Sequence, residues 1–306
     1  MLARMAYRTN TVGGVLRAAT ARLVAAGHAA SDAEELLSRL LGVGRGDLRR
    51  RTDAPFTDAA AFEAWLVRRV AGEPVQYITG RAAFRHLDLD VDRRVLIPRP
   101  ETELLVEAVL EYLAAGDWSR RSPSVLDLGT GSGCIALSVA HEHPSVRVTA
   151  TDASTEALVL ARANAARLGL ETRVTFAHGT WFEAVGADER YDVVVSNPPY
   201  IALEEAARMP ADVVEWEPHT ALFAGDDGLA DVRDIIEDAP RHLRAGGLLA
   251  LELAEMRACQ VAGWLEGAHD WHAVELRDDL AGRPRLLLAR REHGPAIAPA
   301  QWGEER

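Results

Sequence analysis

Residues 124–133 read Ser124-Val125-Leu126-Asp127-Leu128-Gly129-Thr130-Gly131-Ser132-Gly133, and the apolar run Cys134-Ile135-Ala136-Leu137-Ser138-Val139-Ala140-His141 follows without a break. A β-type run, a glycine turn and a helical run in that order form a nucleotide-cofactor cradle, because glycines let backbone N–H groups approach the ligand closely. The next β-type run ends at Asp152, nineteen residues beyond Gly133. An acid at the tip of a second strand can accept both ribose hydroxyls of an adenosine cofactor. Turns of this kind serve NAD, FAD and S-adenosylmethionine alike. The tight Gly-x-Gly-x-Gly spacing with Asp127 before it leans toward S-adenosylmethionine, which has no pyrophosphate to cradle and carries a charged amino group that Asp127 can meet. In His178-Gly179-Thr180-Trp181-Phe182, Trp181 reads either as a cover for the adenine or as a core aromatic.

Outward from this turn, β-rich runs alternate with helical patterns: Ser124–Leu128, Val146–Thr151, Arg173–Phe176, Asp192–Ser196 and Leu248–Leu253. Strands separated by helices imply βαβ units, and hence an α/β fold with a mostly parallel, doubly wound, Rossmann-like sheet. Two more β-type runs, His272–Leu276 and Arg285–Ala289, are read as an edge hairpin.

The fourth run delivers Asn197-Pro198-Pro199-Tyr200 at its carboxyl end, the edge where doubly wound sheets bind ligands. Two prolines cannot continue a central strand, so they fix a rigid turn and leave Pro198 with a carbonyl but no N–H. These residue types suit the methylation of an amide or exocyclic amine, whose nitrogen lone pair is delocalised and poorly nucleophilic. Asn197 Oδ1 and the Pro198 carbonyl can each accept one N–H bond from such a group, favouring a more pyramidal nitrogen, while Tyr200 offers a flat face for stacking. Positioning then supplies most of the rate gain, and no general base is needed before attack.

Before this region, residues 14–72 place Leu16, Ala19 and Leu23, then Leu36, Leu37, Leu40 and Leu41, then Phe62, Trp65, Leu66 and Val70 at three-and-four spacing, which reads as helices. Ser31 is expected to cap one of them, and Gly42 to stop it. We therefore expect a helical domain over 1–75, a β-hairpin linker over 76–100, a catalytic domain over 101–291 and a disordered tail over 292–306. Cys134 and Cys259 match no metal-ligand spacing, so neither a disulfide scaffold nor a metal site is expected. No run approaches the roughly 18 apolar residues of a bilayer span, and no compact signal segment opens the chain, so export and membrane insertion are not expected. Residues 1–100 hold 16 Arg against 11 Asp and Glu, or +5, within a chain of net charge −12, so residues 101–306 carry −17. That acidic larger part argues against a nucleic-acid partner, which needs several cationic phosphate contacts.

With these motifs in hand, the sequence closely resembles the release factor glutamine methyltransferase family, known as PrmC or HemK. The likeness covers roughly residues 14–290. It includes Gly72-Glu73-Pro74-Val75-Gln76-Tyr77-Ile78-Thr79-Gly80, Leu96-Ile97-Pro98-Arg99-Pro100-Glu101-Thr102-Glu103 and Glu217-Pro218-His219-Thr220-Ala221-Leu222. Asn-Pro-Pro-Tyr is shared with many amine methyltransferases, whereas Pro-Arg-Pro-Glu-Thr-Glu is specific to this family. The resemblance implies a helical amino-terminal domain that we expect to dock the substrate, a linking hairpin, and a seven-stranded methyltransferase domain using S-adenosylmethionine. It implies methylation of the side-chain amide nitrogen (N5) of the glutamine in the Gly-Gly-Gln motif of class 1 peptide chain release factors, and so a cytoplasmic enzyme, expected as a monomer. Carried over by position, Gly129, Thr130, Gly131, Ser132, Gly133, Asp152, Trp181 and Asn197 contact the cofactor, and Asn197, Pro198, Pro199 and Tyr200 hold the glutamine, with Asn197, Pro198 and Tyr200 as the catalytic set. Thr180, where the family usually has Asp or Asn, and Ala254, where it often has Gly, depart from the pattern. The rival reading is an adenine-N6 methyltransferase acting on nucleic acid, because an exocyclic amine poses the same hydrogen-bonding problem.

Overall fold

The computed structural model describes residues 11–292, so the expected disorder of the tail falls, from residue 293 onward, outside the described residues. The chain divides into two compact units, one running up to Arg81 and including Pro210–Trp216, the other comprising Ala82–Met209 and the chain from Glu217 on.

In the first unit, helices α1 (Val12–Ala25), α2 (Ser31–Leu41), α3 (Arg45–Arg50), α4 (Ala59–Val70) and α5 (Val75–Thr79) close over one core of Val15, Ala19, Leu23, Leu36, Leu37, Leu48, Phe62 and Leu66. Ala19, Leu23, Leu36, Leu37, Phe62 and Leu66 are among the three-and-four-spaced positions of the sequence, Leu16, Leu40, Leu41, Trp65 and Val70 are only partly buried against this core, and Val15 and Leu48 join it without having been singled out. Thr11 caps α1 by accepting the Gly14 N–H at 3.2 Å. Ser31 does not cap α2. It is the first helical residue, the cap position falls on Ala30 without a side-chain bond, and Gly42 ends the helix in the left-handed region at φ 62°. Arg69, almost fully buried, donates to Asp32 at 2.7 Å and to the carbonyls of Gly72 and Glu73, while Arg68 grips the Glu73 carboxylate at 2.6 Å. The Gly72-Glu73-Pro74 stretch is thus held by two arginines of α4.

From Ala82 the second unit takes in the rest of a hairpin, β1 (Arg81–Phe84) and β2 (Leu87–Asp90), then α6 (Pro100–Ala115), with Pro100 in its first turn. There follow β3 (Ser124–Leu128), α7 (Cys134–Glu142), β4 (Arg147–Asp152), α8 (Thr155–Leu168), β5 (Val174–His178) and β6 (Tyr191–Ser196). After the short α9 (Ala211–Trp216), which belongs to the first unit, come α10 (Ala230–His242), β7 (Leu243–Glu252), α11 (Glu255–Glu266), β8 (Trp271–Asp278) and β9 (Pro284–Arg291). The seven-stranded sheet runs β5-β4-β3-β6-β7-β9-β8, parallel from β5 to β7 and antiparallel where β9 joins β7 and β8. It is the doubly wound α/β sheet expected from the sequence, with β8 at the edge and β9 inserted beside β7.

Alternate residues of each central strand serve opposite layers, as a period of two demands. Val125, Val148, Ala150, Val193, Val195 and Ala250 pack toward α6 and α7, while Leu126, Leu128, Val194, Leu249 and Leu251 pack toward α10 and α11. With both faces covered, β6 is buried along its whole length, which is why Asp192-Val193-Val194-Val195-Ser196 reads as a continuous apolar run.

Candidate active site

The strand register assembles the site. Leu128 pairs with Thr151 of β4 on one side and with Ser196 of β6 on the other, and Ser196 pairs with Leu251 of β7. Gly129, Asp152, Asn197 and Glu252 are therefore the next residues out on four adjacent parallel strands, each about 4.8 Å from the next in the ladder direction. This is the carboxyl edge flanking the point where strand order reverses, the place for a ligand in such sheets. The Ser196 hydroxyl donates to the Leu128 carbonyl at 2.7 Å and ties the two motifs together.

Gly129, Gly131 and Gly133 all lie at positive φ, so the turn needs glycine for its path. Thr130, Ser132 and Gly133 are buried, and Gly129 is exposed. A Cβ on Gly129 would meet the Trp181 ring at 3.5 Å, so Trp181, which follows β5, closes over the glycine turn. It also packs on the α10–α11 core, as the core-aromatic reading expects. Thr180 is exposed and makes no capping bond to the helical turn that follows it. Asp152 accepts from Gly131 N–H at 2.8 Å through one oxygen and from Ser154 N–H at 2.8 Å through the other, and each oxygen keeps a second lone pair. Buried Asn164 of α8 donates to the carbonyls of Ser132 and Asp90, fastening the turn to β2.

Asp127 is fully buried beneath this turn. Its Oδ2 accepts from the Thr130 hydroxyl at 2.6 Å and from Ala136 N–H at 3.1 Å. Its Oδ1 has no partner among the described residues. Burial pushes the carboxyl up to about 7, against the pull of those two donors. An orphaned buried carboxylate oxygen at a glycine turn fits the charged amino group of S-adenosylmethionine, and the two-sided acceptor at Asp152 fits its ribose.

At the end of β6, Pro198 is buried, while Asn197, Pro199 and Tyr200 are half-buried. The Asn197 Nδ2 donates to the Thr102 hydroxyl at 3.1 Å, and that hydroxyl donates to Glu252 Oε2 at 2.7 Å. The Tyr200 hydroxyl sits 3.5 Å from Glu252 Oε1. Burial raises both groups, Glu252 to about 7 and Tyr200 above its ordinary range. On the other side, Arg257 of α11 donates to the Tyr200 and Asp227 carbonyls and pairs with Glu205 at 3.1 Å. Gly228, at φ 69°, lies so close that a Cβ there would stand 2.6 Å from the Tyr200 carbonyl. The Asn197–Tyr200 turn is therefore clamped from both sides.

Thr102, Glu252, Arg257 and Glu217 were not singled out as functional by the sequence reading. Buried Glu217 accepts from Arg99 at 2.6 Å and from Ile97 N–H at 3.2 Å, which joins the Leu96–Glu103 and Glu217–Leu222 stretches. For Thr102 and Glu217 the family-specific segments were the only signal, and Glu252 and Arg257 lie outside those segments. Thr102 lies inside one of them, on α6.

Comparison with known proteins places this geometry. The chain is 44% identical to the release factor glutamine methyltransferase of Cereibacter sphaeroides, covering 90% of this chain and 96% of that protein. It is 41% identical to that of Moorella thermoacetica, covering 92% and 99%. The chain belongs to the release factor glutamine methyltransferase family. Two family models agree with that membership: the PrmC N-terminal domain matches residues 14–80, and the methyltransferase small domain matches residues 100–214. Among solved structures, the catalytic domain of hMettl16 in complex with MAT2A 3′UTR hairpin 1 shares the fold, with a TM-score of 0.54 at 18% identity over 84% of this chain and 88% of that one. As a member of the release factor glutamine methyltransferase family, the chain is an S-adenosylmethionine-dependent methyltransferase. Among the described residues no helix is long and apolar enough to cross a membrane.

Proposed function

We propose that this enzyme methylates the side-chain amide nitrogen (N5) of the glutamine in the Gly-Gly-Gln motif of class 1 peptide chain release factors. The observation that carries the proposal is the Asn197 amide, held by Thr102 at the end of β6, one strand from the glycine turn. The family relatives named above support the same acceptor, and none of them favours an adenine-N6 methyltransferase.

S-adenosylmethionine, when bound, supplies an electrophilic sulfonium methyl group. Gly129, Thr130, Gly131, Ser132 and Gly133 form its cradle in this reading, with Asp127 facing the amino group, Asp152 the ribose, Trp181 the adenine and Asn197 the reacting end. Asn197 Oδ1 and the Pro198 carbonyl each accept one N–H of the glutamine amide, Pro199 keeps the turn rigid, and the Tyr200 ring stacks on the amide plane. With both N–H bonds directed at the enzyme, the nitrogen lone pair is turned toward the methyl group. Holding reactants in line can supply on the order of 7–11 kcal/mol of barrier lowering. The proton leaves after attack, when the nitrogen has become cationic and strongly acidic.

The helical segment within 1–75 docks the release factor, residues 76–100 link it to the catalytic domain over 101–291, and the enzyme works as a cytoplasmic monomer. The test is mass spectrometry of a purified release factor after incubation with the enzyme and S-adenosylmethionine. A gain of one methyl on the Gly-Gly-Gln glutamine supports the reading. Absence of that methyl, with cofactor binding intact, overturns the acceptor assignment.

A further inference from the structure

We propose that Thr102 and Glu252 are positioning residues for the acceptor amide, which decide which end of the Asn197 carboxamide faces the nitrogen to be methylated. The inference rests on the glutamine-methylation reading and deepens it.

The two ends of a carboxamide have nearly the same shape and opposite chemistry. With Oδ1 outward, Asn197 accepts an N–H from the glutamine. With Nδ2 outward, it sets a donor against a donor and competes for the lone pair that must attack. Nothing in Asn-Pro-Pro-Tyr itself separates these two states, so the choice is made behind the motif. The Thr102 hydroxyl has one proton, and it is committed to Glu252 Oε2 at 2.7 Å. What it can offer Asn197 is a lone pair, which takes Nδ2 at 3.1 Å and leaves Oδ1 for the glutamine. An ionised carboxylate can only accept, so it sets the direction of the whole chain of bonds.

The three residues come from α6, the turn after β6, and β7, 95 residues apart between Thr102 and Asn197 and 150 between Thr102 and Glu252. Glu252 is 1% exposed and lies on the strand next to the acceptor turn. Its second oxygen faces the Tyr200 hydroxyl, so one carboxylate orients both the hydrogen-bonding and the stacking parts of the motif. The charged and titratable groups facing it are Glu101 from α6, Cys134 from α7, Tyr200 from the turn, and Arg285 from β9. Burial and Glu101 favour the neutral carboxyl, while Thr102, Arg285 and Tyr200 favour the ionised form, and the balance lies at about 7. Once protonated, Glu252 can donate to Thr102, the Thr102 proton can turn to Asn197, and the amide loses its preference for Oδ1 outward. Turnover at saturating cofactor then rises with pH through the neutral range and levels off above it.

The experiment measures kcat and KM for methylation of a release factor by the full chain between pH 5.5 and 8.5. It compares wild type with Thr102→Val, Thr102→Ser and Glu252→Gln, and takes cofactor Kd by calorimetry for each. Thr102→Val, which keeps the shape and loses the hydroxyl, is expected to lower kcat about 10- to 100-fold with cofactor Kd within about threefold of wild type. Thr102→Ser is expected to recover most of that loss. Glu252→Gln is expected to lose the acid limb of the pH profile. Thr102→Val with wild-type kcat, Thr102→Ser no better than Thr102→Val, or an unchanged acid limb in Glu252→Gln overturns the relay. Wild-type enzyme that binds cofactor and leaves the release factor unmethylated overturns the acceptor reading and the relay with it, so the two failures are told apart by the wild-type arm.

Discussion

The carboxyl of Asp127 is expected to make cofactor affinity depend on pH in a way that can be worked from its surroundings. This group is completely buried, has one oxygen without a partner among the described residues, and is held at about 7 by desolvation. A cationic amino group binds the ionised form and not the neutral one, so at acidic pH a proton must leave before or as the cofactor binds. With a free-state value of about 7, the observed Kd scales as about 1 + 10^(7 − pH), by linkage. That factor is about 1.3 at pH 7.5 and about 33 at pH 5.5, so affinity falls about 25-fold across the window, and the proton released per cofactor bound climbs from about 0.2 to about 1. Isothermal calorimetry in two buffers of different ionisation enthalpy measures both numbers in one experiment. Asp127→Asn has no proton to lose, so it should bind more weakly at pH 7.5 and show a flattened slope. Any slope left in that variant reports Asp152, whose carboxyl burial also raises. A wild-type Kd constant within twofold from pH 7.5 to 5.5, or the full slope retained in Asp127→Asn, would refute the reasoning.

Three further outcomes follow from the same geometry. Asn197→Ala should abolish turnover while cofactor Kd stays within about tenfold, because the lost contact mainly orients the acceptor; near-normal kcat in a methylation assay would remove the role assigned to Asn197. Gly228→Ala places a Cβ 2.6 Å from the Tyr200 carbonyl at a φ of 69°, and should cost about 1–3 kcal/mol in denaturant unfolding and lower kcat by displacing the acceptor turn. Arg99→Ala leaves the 2%-exposed Glu217 carboxylate without its 2.6 Å partner. It should destabilise the fold by about 3–5 kcal/mol, with Arg99→Ala/Glu217→Gln recovering part of the loss in calorimetric Tm; equal Tm values in wild type and Arg99→Ala would count against a structural role for the pair.

What the sequence by itself determined is whatever depends on local pattern. Ser124–Gly133 was legible as strand and turn because alternation, glycine spacing and the following apolar run are all carried by neighbouring residues. Asp152 and Asn197-Pro198-Pro199-Tyr200 were legible because each follows directly from a recognisable strand end. Helical periodicity located the amino-terminal core, although it misplaced the cap at Ser31, whose hydroxyl makes no capping bond because the helix begins one residue earlier than a cap requires. Only the tertiary structure decided that β3 lies beside β6. That adjacency brings Leu128 and Ser196, 68 residues apart, into one hydrogen bond and so sets the glycine turn next to the Asn197–Tyr200 turn. It also decided that Trp181 closes over Gly129, that Gly228 presses on Tyr200, and that Thr102 and Glu252 stand behind Asn197. The physical reason is that crossovers set strand order and side-chain hydrogen bonds recur with no period. Contacts between residues 95 or 150 positions apart are selected by packing the whole sheet, and no local stretch of the chain encodes them.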